Sequence, residues 1–220
     1  MTRDEIIKEL EEAILEVDGE RVKNAAMKAV EVGVSFKDAV DNGLAVGLKK
    51  LGEKFESGEA FLPHLVMAGD QMDEAVEILK DNLPGDDDFK GTGTFVIGTV
   101  KGDIHDIGKN IVGVMLRVGG FKVIDIGVDV PSKDFLKAAK EHKADIIGAS
   151  ALLSTTQYEQ KRLIELLESE GVRNNYKVMV GGGQVTQDWA DKIGADGYGK
   201  DALEAVKVAM GLMGVENKKI

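Results

Sequence analysis

Apolar residues in the first 80 positions recur every three or four residues, the spacing of one face of an α-helix. Four such segments follow one another: Ile6 to Val17, Val22 to Val30, Phe36 to Phe55, and Leu62 to Lys80. Gly33 and Gly58 separate neighbouring segments, Asp18 stands before the second, and Ser35 is placed to cap the third. Short amphipathic helices with short loops predict an antiparallel bundle, which we assign to a domain of residues 1–88.

The pattern changes after a polar, glycine-rich segment, 84–93, which we interpret as an interdomain linker. Short apolar runs then alternate with helical segments. The predicted strands are 94–100, 122–126, 145–149, 177–180 and 197–198. The predicted helices are 109–118, 132–142, 156–169, 186–193 and 201–212. Strands separated by helices predict an α/β fold with a doubly wound parallel sheet, here a second domain of residues 93–215.

Composition narrows the classes of function. The formal net charge is −11, from 39 acidic against 28 basic residues, which argues against a nucleic-acid partner or an anionic membrane surface. The chain has no cysteine, so disulfides and thiolate metal sites are excluded. There is no apolar signal core at the N-terminus and no run of membrane-spanning length. We therefore expect a soluble, cytoplasmic protein.

One histidine follows the first predicted strand. The stretch Gly102–Asn110 reads GDIHDIGKN and lies between strand 94–100 and helix 109–118. This places His105 at the carboxyl edge of a parallel sheet, where ligands bind. A carboxylate of Asp103 or Asp106 is close enough to hold one ring nitrogen and leave the other free to bind a metal. The competing interpretation is a loop histidine that only serves the structure.

Two further groups of small or polar residues follow strand ends. Ser150 to Thr156 reads SALLSTT, and its hydroxyls either contact a ligand or cap the next helix, a role that Thr155 or Thr156 alone would fill. Gly181, Gly182 and Gly183 let a bulky group approach the backbone, or simply form a permissive turn. Together the three features predict a cleft at one edge of the sheet, polar at its mouth and lined by glycine. No phosphate-binding glycine fingerprint is present.

These residues resemble the cobalamin-binding domains that carry D-x-H-x-x-G, then S-x-L, then G-G. Here the three parts are Asp103 to Gly108, Ser150 to Leu152, and the glycines at 181–183, and 45 positions separate His105 from Ser150. The segment Phe61 to His64 is also similar to this group. The resemblance covers residues 5–212 and includes the corrinoid proteins of methyl-transfer systems and the matching module of methionine synthase. It implies a four-helix cap followed by a Rossmann-like domain.

The resemblance also implies a role for each residue. His105 would be the lower axial ligand of cobalt in cobalamin or a related corrinoid, and Asp103 would hold its other nitrogen. A hydroxyl of Ser150 or Thr156 would extend this relay. The remaining expected cofactor contacts are Gly102, Ile104, Asp106, Ile107, Gly108, Ser150, Leu152, Ser154, Gly181, Gly182 and Gly183. A bulky residue at Gly182 should then weaken cofactor binding and leave the sheet intact.

The function implied is that of a methyl carrier, not of an enzyme. The cofactor would alternate between methyl-Co(III) and Co(I), loaded by a substrate-specific methyltransferase and unloaded by a second one that acts on coenzyme M or tetrahydrofolate. A reductive activating protein would be a further partner. One-carbon metabolism of methylamines, in methanogenesis or acetogenesis, is the expected setting.

Three other functions are compatible with parts of the sequence. A cobalamin-dependent sensor would share the cap and the cobalamin domain but normally has a basic DNA-binding segment. The small cobalamin-binding subunit of a mutase would lack this type of cap. An α/β domain that binds another cofactor would leave His105 with a structural role only.

Overall fold

The computed structural model describes residues 1–83 and 91–215, and these two ranges form two compact units. Residues 84–90 of the predicted linker lie outside the described residues. Within the described ranges, no helix combines the length and the apolar character needed to cross a bilayer.

The N-terminal unit consists of helices. They are α1 (Arg3–Leu15), α2 (Gly19–Val32), the single turn α3 (Phe36–Asp38), a π-helical segment (Ala39–Leu44), α4 (Ala45–Glu56) and α5 (Leu62–Asn82). Thr2 and Glu5 form a capping box at α1, and the side chain of Asp18 caps α2. The buried faces meet in a core that includes Ile6, Leu10, Leu44, Leu65 and Leu79.

Two details of this unit differ from the prediction. Val17 lies outside α1, with a left-handed φ of 58°, because the chain must turn there before Asp18 caps the next helix. The third predicted helix includes the π-helical segment Ala39–Leu44, in which each N–H bonds the carbonyl five residues earlier instead of four. This segment precedes the point where α1 and α4 approach closely. A Cβ atom on Gly47 would lie 2.4 Å from the carbonyl oxygen of Glu11, so only glycine fits at this crossing.

The C-terminal unit has a five-stranded sheet. Its elements are β1 (Gly93–Thr99), α6 (Ile107–Val118), β2 (Phe121–Asp125), α7 (Ser132–Glu141), β3 (Ile146–Ser150), α8 (Tyr158–Ser169), β4 (Lys177–Gly181), α9 (Gln187–Ile193), β5 (Gly197–Tyr198) and α10 (Ala202–Leu212). A short 3₁₀ turn precedes β4. The strand order is β2-β1-β3-β4-β5 and every pairing is parallel. The predicted α/β class and doubly wound parallel sheet are confirmed.

The strand order places the predicted site residues at one edge. In the register of the sheet, Thr99 pairs with Ser150, and Ser150 pairs with Gly181. The carboxyl ends of β1, β3 and β4 are therefore neighbours, as the positions of His105, Ser150 and the glycines require.

Two helix starts differ from the prediction by two residues, and the first is that of α6, which begins at Ile107 and not at 109. Helix α8 begins at Tyr158, two residues after the predicted start, and neither Thr155 nor Thr156 caps it. The hydroxyl of Thr156 instead hydrogen-bonds within the turn and to Asp103, 53 positions earlier. The Thr156 hydroxyl, which the local sequence suggested as a helix cap, is thus used in a long-range hydrogen bond instead.

Candidate functional site

A tight turn after β1 carries His105. The buried hydroxyl of Thr99 donates to the backbone carbonyl of His105 at 2.9 Å. From the neighbouring loop, the Asp129 carboxylate accepts from the backbone N–H of Gly102 at 2.7 Å. The N–H of Asp129 donates to the carbonyl of Asp103 at 2.9 Å. The turn is therefore fixed from β1 and from the loop after β2.

Asp103 lies behind His105 and is almost fully buried. Its Oδ1 accepts from the ring Nδ1 of His105 at 2.7 Å and from the backbone N–H of the same residue at 3.1 Å. Its Oδ2 accepts from the Thr156 hydroxyl at 2.7 Å and from the Leu152 N–H at 2.8 Å. Burial alone raises the pKa of Asp103, but these hydrogen bonds outweigh it and hold the pKa well below its ordinary value.

The ionised Asp103 sets the protonation of the imidazole. A carboxylate only accepts hydrogen bonds, so Nδ1 of His105 must carry the proton that joins them. In the neutral ring the lone pair then lies on Nε2. The His105 side chain is 50% exposed, whereas that of Asp103 is fully buried. The arrangement presents a basic nitrogen to the outside with its orientation fixed from within.

Large apolar side chains are exposed on the turn that carries His105 and on the turn after β3. Ile104 is 74% exposed and Ile107 is 77% exposed, one on each side of His105 in the sequence. Leu152 and Leu153, from the turn after β3, are also exposed. Exposed aliphatic side chains on turns at a ligand-binding edge suit a largely apolar ligand.

A cavity of about 490 Å³, which we call the slot, opens next to His105. Its walls come from β1, β3, β4, β5, α6 and α10. The lining residues are Phe95, Ile97, His105, Gly108, Lys109, Ile111, Val112, Gly148, Ala149, Ser150, Leu152, Met179, Val180, Gly181, Gly182, Gly183, Val185, Tyr198, Gly199, Lys200, Asp201, Ala202 and Ala205. Its volume lies within the range of sites that hold a small organic ligand.

The glycines that line the slot differ in how much space a side chain would have at each position. A Cβ atom on Gly108 would meet no heavy atom within 4 Å, so the glycine there keeps the entrance of the slot clear. Gly182 has a φ of +122°, and a Cβ there would lie 1.9 Å from the carbonyl oxygen of Ala151. The expectation that a bulky residue at Gly182 would leave the sheet intact is therefore wrong, because any side chain there collides with the backbone.

The structure separates the predicted site residues into three groups. Lining the slot are His105, Gly108, Ser150, Leu152, Gly181, Gly182 and Gly183. Asp103 and Thr156 lie behind His105, and of the two hydroxyls considered for the relay it is that of Thr156 that contacts Asp103. Gly102, Ile104, Asp106 and Ile107 belong to the turn and the start of α6, outside the lining. Ser154 is exposed and also outside the lining.

Sequence reasoning missed several residues of the site. Lys109 lines the slot with a side chain that is only 2% exposed, and its ammonium group contacts Asp125 and Asn110. Asp129 and Thr99 hold the turn but carry no local signal of that role. Among these missed residues, Gly148 in the middle of β3 did carry a signal in the sequence, because glycine inside a strand often marks the close approach of a ligand or another backbone.

The metal assignment depends on a single side chain. Across residues 1–83 and 91–215, no group of three or more His, Asp or Glu side chains is arranged to hold a metal ion. A metal bound at this site would therefore need most of its ligands from a cofactor.

Comparison with known proteins gives two matching family models. Both are described as B12 binding domains, one over residues 93–207 and the other over residues 6–80. Together they span both units.

Curated relatives match nearly the whole chain. Dimethylamine corrinoid protein 2 of Methanosarcina acetivorans is 49% identical over 212 residues, which are 96% of this chain and 98% of the relative. Trimethylamine corrinoid protein 1 of Methanosarcina mazei is 45% identical, over 93% of this chain and 95% of the relative.

Two solved structures extend the likeness to the fold. The methanol:cobalamin methyltransferase complex from Methanosarcina barkeri matches with a TM-score of 0.86 at 34% identity, over 96% of this chain and 80% of that one. A cobalamin-binding protein from Desulfitobacterium hafniense matches with a TM-score of 0.67 at 30% identity, over 94% and 98%. The predicted resemblance and the helical-plus-Rossmann-like fold are confirmed, and the chain belongs to the B12-binding corrinoid proteins, whose cofactor is a cobalamin-type corrinoid.

Proposed function

We propose that this protein carries a methyl group, on the cobalt of a bound corrinoid, between two methyltransferases, with His105 as the lower axial ligand. The observation that carries the proposal is the contact between Asp103 and His105, which leaves Nε2 directed away from the buried carboxylate at the mouth of the slot. The cofactor supplies the methyl-accepting cobalt, and the protein supplies its binding and orientation.

The residues present fit such a cofactor. An oriented imidazole offers one nitrogen ligand, and the exposed side chains of Ile104 and Ile107 provide an apolar surface for a flat ring. The slot beside His105 suits an elongated tail, and its entrance at Gly108 is open. Within the described ranges no cluster of three or more His, Asp or Glu side chains accompanies His105, which is compatible with a metal that arrives already held by a ring.

Two residues would tune the lower ligand. The Asp103 carboxylate keeps the proton on Nδ1 of His105, so that Nε2 is available to cobalt. The Thr156 hydroxyl holds the other oxygen of Asp103 and keeps this carboxylate ionised. Because a carboxylate behind a histidine raises its basicity, the Asp103–His105 pair would make Nε2 a stronger ligand for the cobalt of a bound corrinoid.

The partners proposed are a substrate-specific methyltransferase, a second methyltransferase that acts on coenzyme M or tetrahydrofolate, and a reductive activating protein. The chain would not itself be an enzyme. The named relatives point to a methylamine as donor, and dimethylamine is our first choice because the dimethylamine corrinoid proteins reach the higher identities.

The axial ligand is testable by spectroscopy. Protein with ¹⁵N-labelled histidine is loaded with cobalamin, reduced to Co(II) and measured by electron paramagnetic resonance. If an imidazole of the protein binds cobalt, the threefold splitting caused by ¹⁴N changes to the twofold splitting of ¹⁵N. His105→Ala should abolish this signal.

The chain offers matched controls, because it has only three histidines. His64→Ala and His142→Ala should keep the labelled signal. A spectrum that is unchanged in the His105 variant, or that never responds to the label, contradicts the assignment of His105.

The donor is tested separately. Reduced holoprotein is mixed with cell extract and, in parallel, with dimethylamine, trimethylamine, monomethylamine or methanol, while the cobalt absorption spectrum is followed. Methylation with dimethylamine alone supports our choice, and methylation with another donor alone overturns it without affecting the His105 assignment.

A further inference from the structure

A glutamine on the opposite side of the sheet from α6 contacts the walls of the slot. Gln160, in α8, is fully buried. Its Nε2 donates to the carbonyl of Ala149 at 2.9 Å and to that of Gly181 at 3.0 Å. Its Oε1 accepts from the indole N–H of Trp189 at 3.0 Å. Both amide hydrogens and the amide oxygen are therefore used.

The two carbonyl groups belong to neighbouring strands at the site. Ala149 and Gly181 both line the slot, one at the end of β3 and one at the end of β4. Ser150 pairs with Gly181 in the sheet, and the next residue, Ala151, donates its N–H to the Gly181 carbonyl at 3.0 Å. Gln160 thus joins the penultimate residue of β3 to the last residue of β4, next to the turns that form the slot.

The glutamine is itself held from outside the sheet. Trp189 of α9 fixes the amide oxygen, and its ring packs edge-on against the ring of Tyr158 with centroids 5.3 Å apart. Both rings lie on helices that follow slot-lining turns. Since a primary amide has a single orientation that satisfies two acceptors and one donor, this contact specifies the direction of the Gln160 side chain.

The distance between the slot walls depends on this amide. A hydrocarbon side chain at position 160 would leave two carbonyls and an indole N–H buried without the partner they have now, which is unfavourable. The ends of β3 and β4 would relax toward other partners. The close approach of Gly182 to Ala151 makes this region intolerant of such a shift.

We propose that Gln160 is a positioning residue that sets the width of the slot, and so determines affinity for corrinoids that carry a nucleotide tail. This rests on the proposed cofactor site. Gln160 acts through the backbone of Ala149 and Gly181 and contacts the slot from behind. The effect should be specific to the tail, because the side-chain hydrogen bonds of Gln160 go to Ala149, Gly181 and Trp189 and not to the turn after β1 that carries His105.

The test compares two corrinoids on the apoprotein. Cobalamin carries the nucleotide tail, and cobinamide lacks it. Their dissociation constants are measured by titration for the wild type, for Gln160→Met, which keeps the length of the side chain, and for Gln187→Met as a matched control at an exposed glutamine. In the Gln160 variant we expect cobalamin affinity to fall about tenfold and cobinamide affinity to stay within about twofold.

Retained cobinamide binding also reports that the variant is folded. Equal loss for both corrinoids, or no loss for either, overturns the inference. If the wild type itself binds neither corrinoid, it is the proposed function that fails. If the wild type prefers cobalamin to cobinamide and the Gln160 variant shows the same preference, the inference about Gln160 fails while the proposed function stands.

A second variant addresses the outer contact. Trp189→Phe removes the indole N–H donor together with part of the ring but keeps an aromatic side chain next to Tyr158, and we expect a smaller loss of the same sign for cobalamin. Trp189 is the single tryptophan of the chain, so its fluorescence reports directly on the Gln160 contact in the apoprotein. An emission spectrum that is identical in the wild type and in Gln160→Met contradicts the hydrogen bond on which the inference depends.

Discussion

Asp103 and Thr156 are 53 positions apart in the sequence and meet in a buried hydrogen bond of 2.7 Å. The other oxygen of Asp103 holds the ring of His105 at the same distance. Three side chains from two separate turns thus form one chain of hydrogen bonds, which ends at the half-exposed side chain of His105. The stability of the site and its affinity for a corrinoid should both depend on this chain and on the walls of the slot.

Removing the Thr156 hydroxyl should weaken the site without changing its shape. Thr156→Val keeps the branched side chain but leaves Asp103 with one charge-assisted hydrogen bond fewer. We expect a loss of about 2 kcal/mol in the free energy of unfolding, measured by urea denaturation. Thr156→Ser should restore most of it. Thr155→Val, at an exposed position, is the control, and a similar loss there would contradict the specific role.

Acid should destabilise the C-terminal unit through Asp103. Its pKa is lowered in the folded protein, so its contribution to stability is present above the ordinary carboxyl pKa of about 3.9 and is lost as the pH falls through the lower folded pKa. The stability difference between the wild type and Asp103→Asn should therefore be larger at pH 7 than at pH 3. Denaturant midpoints at the two pH values measure it, with the exposed Asp188→Asn as control. A difference independent of pH contradicts the prediction.

Side-chain size at Gly108 should control cofactor binding. A Cβ there meets nothing within 4 Å, and the residue lies in the first turn of α6 at the edge of the slot. Gly108→Ala should keep corrinoid affinity and raise stability by up to about 1 kcal/mol. Gly108→Phe should fold and lose affinity by about tenfold or more, because its ring enters the slot. Gly211→Phe, equally unhindered but outside the slot, should bind as the wild type does.

Gly182→Ala should instead damage the fold. The new methyl group would overlap the carbonyl oxygen of Ala151, and the φ of +122° is strained for any residue with a side chain. We expect a loss of about 3 kcal/mol or more in the free energy of unfolding, measured by thermal or urea denaturation. Gly194→Ala, at a left-handed position with free space, isolates the cost of conformation from that of the clash. Equal losses at both positions would show that the contact with Ala151 contributes nothing.

Asp129 should prove important for the turn that carries His105. Its carboxylate and its N–H contact Gly102 and Asp103 respectively, and its φ of 53° is left-handed. Asp129→Asn tolerates that conformation and retains an acceptor, so it should bind corrinoid normally. Asp129→Ala should lose about 1 kcal/mol of stability and show a weaker histidine-ligated cobalt spectrum. If both variants give the spectrum of the wild type, the turn is held by its other contacts.

Much of this protein was already determined by local sequence. The alternation of apolar runs with amphipathic segments predicted a helical segment followed by a parallel α/β sheet, because side-chain periodicity follows directly from the geometry of helix and strand. The position of His105 just after β1 was equally clear, since the chain cannot leave a parallel strand except at its carboxyl edge. The sequence also offered a carboxylate to the ring, from Asp103 or Asp106, and the family resemblance favoured Asp103.

The tertiary structure alone decided the contacts between distant residues. The sequence left Ser150 and Thr156 as equal candidates for the relay, and the fold of the turn after β3 brings Thr156 to Asp103. The obstacle at Gly182 is a backbone atom of Ala151, in the turn after β3, and no pattern near residue 182 indicates it. Gln160 looks like an ordinary polar residue of an amphipathic helix, yet it is fully buried. Periodicity records which face of an element is buried, but hydrogen bonds across the sheet depend on register and on turns, which many weak, distant interactions fix together.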